Sequence, residues 1–286
     1  MASGLKRTIK KLLPIKLVAY IQAVRWWRAV ERVHRRTGIR DFCSHVVASY
    51  GTTVLYGPFK GMKFTNEGLM TACNTSGLLG TYERETHPWL LALRPGEYER
   101  ALDIGAAEGY YAVGIALRTG TRVDAYDTAP VARRLCKAMA KLNGVSGLVQ
   151  THAFCSPEVL RQLNGQRCFI VSDCEGFEVK LFSREVIQAL VNCDLIIELH
   201  DGTEPPGTTR ELLKSRFSAT HRIEVVRFGS RNPRDFPELA YLEGLGIDVQ
   251  RAIREEGRGD QEWMIATSLG TAGREGVEPS RTAGTV

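Results

Sequence analysis

The sequence ALDIGAAEGYYAVG, residues 101–114, runs from an apolar segment into glycines and then into a helical pattern. A strand, a glycine turn and a helix in this order are typical of nucleotide-binding α/β domains. A dinucleotide-binding turn needs the spacing GxGxxG, so that the backbone can pass close to a pyrophosphate. Counted from Gly105, the second and third glycine positions hold Ala107 and Tyr110. The spacing therefore excludes a dinucleotide-binding oxidoreductase.

The remaining acid and glycines, Asp103, Gly105 and Gly109, have the spacing of a loop that cradles the amino-acid end of S-adenosylmethionine (SAM). That ligand has no pyrophosphate, so the loop only has to bend sharply and present backbone N–H groups to one carboxylate. An acid that closes the next strand would hold the ribose hydroxyls. Asp127 closes that strand, and Asp124, three residues earlier, faces its opposite side. We therefore predict a SAM site with Asp127 as the ribose ligand.

Strand and helix patterns alternate from residue 97 to residue 268. Strands rich in Val, Ile and Leu that alternate with amphipathic helices predict βαβ units and a parallel sheet. We expect an α/β, Rossmann-like fold of the class I methyltransferase type, in which helices flank a mostly parallel seven-stranded sheet. The main helices are predicted over about 108–119, 130–144, 157–165, 178–190 and 206–217, and a polar helical insertion follows the sixth strand.

Accessory segments flank this SAM-binding domain of residues 97–268. Residues 41–96 have the pattern of a β-hairpin around Gly57-Pro58-Phe59-Lys60-Gly61, followed by mixed turn and helix signals. Residues 269–286 hold no aromatic residue and almost no large apolar one, so we predict a disordered tail.

Residues 1–40 form a basic arm, with eleven Lys and Arg against Glu31 alone, whereas the rest of the chain has a net charge of −4. Residues 15–34 have helical periodicity, and five arginines share one sector of the helix: Arg25, Arg28, Arg32, Arg35 and Arg36. We predict a basic amphipathic helix. Its apolar face packs on its own domain with the arginines in solvent, or it lies against an anionic membrane surface.

The cellular location is predicted from the cysteines and from the absence of a targeting pattern. The seven cysteines are scattered and lack the spacing of a disulfide framework or a zinc site. The apolar stretch after Lys11 is interrupted by Pro14 and Lys16 and falls short of the roughly 20 residues of a spanning helix. We expect a cytoplasmic protein, with or without peripheral contact at the inner membrane face.

Ionisable groups cluster after the fourth and fifth predicted strands. Asp173 and Glu175 follow the fourth strand, and the fifth ends in Glu198, His200 and Asp201. Because ligands of open α/β sheets lie beyond the carboxyl ends of the strands, we interpret Asp173 and Glu175 as contacts to cofactor or acceptor and His200 as the general base. Some of these acids could instead cap helices. The group could also bind Mg²⁺ or Mn²⁺, but its spacing is not a recognised metal signature, and we predict no metal.

These motifs resemble those of the FkbM-type SAM-dependent methyltransferases, which are predominantly O-methyltransferases. The matching segments are D-I-G-A-A-E-G-Y-Y at 103–111, V-D-A-Y-D at 123–127, D-C-E-G-F-E at 173–178 and I-I-E-L-H at 196–200. Ala107 stands where the family usually has Asn, and the proline expected after Asp127 is displaced to Pro130. The resemblance covers about residues 78–201 and implies that Tyr82 and Glu83 lie at the cofactor rim. The implied cofactor-binding residues are Asp103, Gly105, Ala107, Gly109, Tyr110, Asp127, Tyr82 and Glu83.

The resemblance implies a SAM-dependent methyltransferase that methylates a hydroxyl group of a small molecule or glycan. One alternative is a nucleic-acid methyltransferase guided by the basic arm. An enzyme that methylates an amino group of a flipped base would carry an (Asn/Asp)-Pro-Pro-(Tyr/Phe) element after the fourth strand, where this chain has Asp-Cys-Glu-Gly, so we expect no nucleic-acid partner. The other alternative is a binding protein that keeps the fold without catalysis.

Overall fold

A seven-stranded sheet organises the chain in the computed structural model, which describes residues 28, 32, 34, 36–202, 205–229, 231–254 and 261–271. The strands are β1 (Arg100–Ile104), β2 (Val123–Tyr126), β3 (Val149–His152), β4 (Cys168–Ser172), β5 (Asp194–Leu199), β6 (His221–Arg227) and β7 (Glu262–Ser268). Their order is β3-β2-β1-β4-β5-β7-β6. Strands β1 to β5 pair in parallel, and β7 runs antiparallel to both β5 and β6. The predicted α/β, Rossmann-like fold with a mostly parallel seven-stranded sheet is confirmed.

Helices cover both faces of the sheet. Those before the sheet and in its first crossovers are α1 (Ile39–Tyr50), α2 (Asn66–Ala72), α3 (Thr75–Leu79), α4 (His87–Ala92), α5 (Tyr110–Thr119) and α6 (Pro130–Leu142). The later ones are α7 (Pro157–Arg161), α8 (Glu178–Leu181), α9 (Arg184–Ala189), α10 (Thr208–Phe217) and α11 (Val249–Ala252). Short 3₁₀ helices occupy Arg84–Thr86, Pro233–Asp235, Pro237–Leu245 and Leu269–Thr271.

The sheet separates two hydrophobic cores, because successive strand residues point to opposite faces. Ala101 of β1 belongs to the core under α5 and α6, and Leu102 belongs to the core under α7 to α10. Residues of the segment 41–96, such as Phe59 and Phe64, are buried in the first of these cores. This segment therefore shares its core with the sheet of residues 97–268.

Three sequence predictions need correction. The predicted hairpin forms only over residues 52–54 and 61–64, where Val54 donates to the carbonyl of Met62 at 2.7 Å and Phe64 to that of Thr52 at 2.8 Å, around a bridge between Thr53 and Lys63. The predicted helix 178–190 is two helices, α8 and α9, since Ser183 has extended backbone and caps α9 through Val186.

The third correction concerns the predicted polar insertion, which contributes to the first core. Leu239 and Leu242 in Pro237–Leu245 are fully buried there. Arg231, at the start of the insertion, is held by Glu85 through an ion pair of 2.6 Å. The insertion is thus packed against the segment that precedes the sheet.

Two predictions concern the ends of the chain. Of the helix predicted over residues 15–34, only Arg28 and Arg32, which are exposed, and His34, which is buried, are among the described residues. Of the predicted disordered tail, Leu269–Thr271 forms a 3₁₀ turn and residues 272–286 lie outside the described residues. None of the helices in the described ranges has the length and apolar character required to cross a bilayer.

Candidate functional site

The glycine turn after β1 is pressed against the end of β4. Gly105 has a φ of 95°, and a Cβ atom there would lie 1.7 Å from the carbonyl oxygen of Asp173. The N–H of Asp173 also donates to the carbonyl of Ile104, at 2.8 Å. Position 105 therefore needs glycine both for its left-handed backbone and for the close approach of the two chain segments.

The next two predicted positions shape the start of α5. Ala107 has a φ of 44°, in the left-handed region that L-residues with a Cβ avoid. Gly109 has a φ of 98° and precedes α5, and a Cβ there would meet the Sγ of Cys136 at 2.8 Å. Glu83 and Glu175, two other predicted site residues, are also left-handed, with φ of 47° and 54°. Such strain clusters at functional sites.

Asp103 lies beneath the loop. Its carboxylate is 2 % exposed and accepts a hydrogen bond of 2.8 Å from the N–H of Ala112, in the first turn of α5. Burial raises the pKa of Asp103 to about 8, and the negative charges of Asp127, Asp173 and Glu108 also raise it. The hydrogen bond from Ala112 has the opposite effect but does not outweigh them. This geometry makes Asp103 a cap for α5, and its contact with a cofactor stays a prediction.

Asp127 ties the glycine loop to the next helix. Its Oδ2 accepts a hydrogen bond of 3.0 Å from the N–H of Ala107, and its Oδ1 accepts one of 2.7 Å from the N–H of Ala129. Burial raises the pKa of Asp127 to about 6. A carboxylate has about four lone-pair sites, so both oxygens keep the capacity to accept ribose hydroxyls.

Asp124 faces away from this loop, as predicted. It is 4 % exposed and pairs with Arg100 at 3.3 Å and with His152 at 3.0 Å. It therefore does not compete with Asp127.

Aromatic side chains bring the segment around Tyr82 to the start of α5. The ring of Tyr110 lies 5.3 Å from that of Tyr82 and 5.1 Å from that of Phe59. The hydroxyl of Tyr111 donates a short hydrogen bond to the carboxylate of Glu83, which is 1 % exposed. The predicted neighbours Tyr82, Glu83 and Tyr110 thus meet beside the glycine loop, with Tyr110 and Glu83 buried and Tyr82 half-buried.

The second half of the candidate site is a ring of carboxylates around His200, at the ends of β4 and β5. The Nδ1 of His200 lies 2.8 Å from the Oε1 of Glu178. Its Nε2 lies 3.7 Å from Asp173, 3.8 Å from Glu175 and 3.6 Å from Glu198. The parallel pairing of β4 and β5 brings these groups together, since Ser172 of β4 is level with Ile197 of β5.

These charges determine the protonation of His200. Burial by itself would lower the pKa of the imidazole, but the hydrogen bond to Glu178 and the charges of Asp173, Glu178 and Glu175 outweigh it and raise the pKa to about 9. The free protein therefore holds an imidazolium at neutral pH. The ligand atoms of Asp173, Glu175 and His200 lie within 4.8 Å of one another, close enough to share a cation only when the imidazole has lost its extra proton.

Two neighbouring acids have roles that the motif alone did not assign. Glu178, the last letter of D-C-E-G-F-E, is fully buried against His200, and its only sequence signal was membership of that motif. Asp201 caps α10, because its carboxylate accepts from the N–H groups of Gly207 at 2.5 Å and Thr209 at 2.7 Å. The capping alternative is thus confirmed for Asp201.

Comparisons with known proteins add only general likenesses. No protein-family model and no curated protein matches the chain. One similar solved structure is a precorrin-6y C5,15-methyltransferase from Geobacter metallireducens, 15% identical with a TM-score of 0.43, covering 66% of this chain and 89% of that chain. Another is an O-methyltransferase of tomaymycin synthesis from Streptomyces achromogenes in complex with SAM, 12% identical with a TM-score of 0.40, covering 60% and 74%. These values are too low to carry an argument about the site, and the resemblance to FkbM-type enzymes stays a prediction.

Proposed function

We propose that this chain is a SAM-dependent methyltransferase that transfers a methyl group to a hydroxyl of a small molecule or glycan. The observation that carries the proposal is the position of Asp173. Its backbone packs on Gly105 of the glycine loop, and its carboxylate lies 3.7 Å from the Nε2 of His200. One residue thus joins the loop suited to a cofactor to the ionisable cluster suited to an acceptor, at the sheet edge where α/β proteins bind ligands.

The charge of the loop supports a cationic cofactor. Burial and neighbouring carboxylates raise the pKa values of Asp103, Glu108 and Asp127 together. A ligand with net positive charge relieves this repulsion, whereas a pyrophosphate would add to it. Backbone groups of the turn from Gly105 to Gly109 would hold the amino-acid end, and Asp127 the ribose. When bound, SAM supplies an electrophilic methyl group on a sulfonium.

The cluster around His200 would handle the proton of the acceptor hydroxyl. With a pKa raised to about 9, His200 keeps its proton at neutral pH and is a poor acceptor for another. In our proposal the role of base therefore passes from His200 to Asp173 or Glu175, whose side chains are 27% and 53% exposed. His200 remains in the site as a positive charge that attracts these two carboxylates.

The first test is isothermal titration of the full chain with SAM and with S-adenosylhomocysteine, repeated on Asp127→Asn. A hydrogen bond to a charged group contributes about 1.5–3 kcal/mol, so the variant should bind about 10- to 100-fold more weakly. Asp248→Asn is the matched control, because Asp248 caps α11 and asparagine caps equally well. If neither ligand binds to the wild type, the proposed cofactor is wrong. If Asp127→Asn binds normally, Asp127 is not the ribose ligand.

Methyl transfer is the second test. Wild-type protein that binds SAM should methylate at least one member of a panel of hydroxylated metabolites and glycans, detected as transfer of a labelled methyl group. Transfer to nucleic acid with none to hydroxylated compounds would contradict the proposed acceptor class.

A further inference from the structure

Glu178 is an acid without any solvent exposure at the first position of α8. Burying a carboxylate costs free energy unless hydrogen bonds compensate it. Here a single oxygen, Oε1, meets two donors: the Nδ1 of His200 at 2.8 Å and the N–H of Gly176 at 3.2 Å. The buried acid therefore serves the histidine ring and the turn that carries Glu175.

Among the four carboxylates around the ring, Glu178 lies within hydrogen-bonding distance. The distances from Nε2 to Asp173, Glu175 and Glu198, between 3.6 and 3.8 Å, exceed those of a hydrogen bond. These three groups attract the ring through charge, which has little directional preference. The orientation of the ring is consequently set from the Nδ1 side.

We propose that Glu178 is a positioning residue: by accepting the Nδ1 hydrogen bond, it fixes the His200 ring with Nε2 directed at Asp173 and Glu175. Without this bond the ring can rotate about its side-chain torsions and turn Nε2 away from the two carboxylates. The inference rests on the proposed function in one respect, since ring orientation affects turnover only if Asp173 and Glu175 act on the acceptor.

Two substitutions separate the hydrogen bond from the charge. In Glu178→Gln the amide oxygen should take the position of Oε1, because both neighbouring groups, the His200 Nδ1–H and the Gly176 N–H, are hydrogen-bond donors. The hydrogen bond to Nδ1 is then kept while the negative charge is lost. Glu178→Leu removes both bond and charge at similar volume. Glu224→Leu is the control, because Glu224 is an exposed acid on the edge strand β6.

The spectroscopic arm is independent of turnover. In protein labelled with ¹⁵N-histidine, the Nδ1–H of His200 should give a downfield, slowly exchanging proton resonance, assigned by its loss in His200→Gln. It should persist in Glu178→Gln and Glu224→Leu and disappear in Glu178→Leu. Its absence from the wild type would overturn the proposal, even if Glu178→Leu proves too unstable to study. Its persistence in a folded Glu178→Leu would also overturn it.

The kinetic arm measures the consequence for catalysis. Mutating a residue that hydrogen-bonds a functional histidine typically lowers activity by about 10- to 100-fold in other proteins. We therefore expect kcat to fall by that factor in Glu178→Leu, with the KM for SAM unchanged. Glu178→Gln should recover most of the loss. Equal losses in both variants would assign the effect to charge and refute positioning. If no acceptor is found, the proposed function fails while the resonance still decides the role of Glu178.

Discussion

Replacing Ala107 with glycine should stabilise the protein, although glycine usually weakens a loop. The left-handed backbone at this position, with a φ of 44°, costs an L-residue about 1–2 kcal/mol. Glycine removes this cost, but its greater backbone freedom in the unfolded chain lowers the free energy of unfolding by about 0.5–1 kcal/mol. The hydrogen bond to Asp127 is kept because it comes from the backbone N–H of residue 107. The expected gain in the free energy of unfolding is about 0.5–1 kcal/mol, or about 2 °C in Tm.

Urea unfolding of the wild type and of glycine variants at positions 106 and 107 measures this gain. Ala106 is the matched control, since it is 6 % exposed and does not have a positive φ. Ala106→Gly should lose about 1 kcal/mol through chain entropy and the buried methyl group. Ala107→Asn should be nearly neutral, because asparagine tolerates the left-handed region. Equal destabilisation by the two glycine variants would refute the left-handed conformation at position 107.

Three further predictions concern the same loop and cluster. Gly105→Ala should lose about 2–5 kcal/mol of stability and all SAM binding, because its Cβ would lie 1.7 Å from the carbonyl oxygen of Asp173; unchanged urea midpoints would contradict this. Asp103→Asn keeps the cap on Ala112 and removes a carboxyl whose pKa is raised to about 8. Between pH 4 and 8 the Asp103 carboxyl holds its proton in the folded wild type but not in the unfolded chain, so the free energy of unfolding of the wild type should fall as pH rises. Urea titrations should show a smaller fall for Asp103→Asn. Methyl transfer should survive dialysis against a chelator, because His200 supplies the positive charge; a loss restored by Mg²⁺ or Mn²⁺ would show a metal requirement.

The sheet could be predicted from sequence because a strand buried on both faces leaves an unbroken apolar run. Cys168–Ser172 is buried along its whole length, and its pattern was correspondingly clear. The break between α8 and α9 could not be predicted, because the apolar periodicity continues through it. The guanidinium of Arg216, on α10, donates to the carbonyls of Val179 and Phe182 and satisfies the end of α8. Contacts with a residue 34 and 37 positions further along the chain thus stabilise the end of this helix.

The candidate site shows the same division between local and tertiary information. Asp173 and His200 could be paired from sequence, because the carboxyl ends of adjacent parallel strands meet at one edge. The protonation of His200 could not be predicted, since it depends on Glu178 reaching back from the start of α8 to the ring. Likewise, Asp103 could be recognised as part of a motif, but its bond to Ala112 appears only once α5 is placed above β1.

Ionisation of the buried acids around the glycine loop is unfavourable in the unliganded protein, and this affects which ligand the loop prefers. Burial and mutual repulsion raise the pKa of Asp127 to about 6, and the charge of Asp173 contributes to this rise. A methyl donor with a sulfonium carries one more positive charge than its demethylated product, so ionised acids favour the donor over the product. As pH rises through about 6 and Asp127 ionises, the ratio of the two affinities should therefore move toward SAM. Titrations with SAM and S-adenosylhomocysteine at pH 5.5 and pH 7.5 measure this ratio, and a ratio that does not change would show that the charge of Asp127 does not reach the sulfonium.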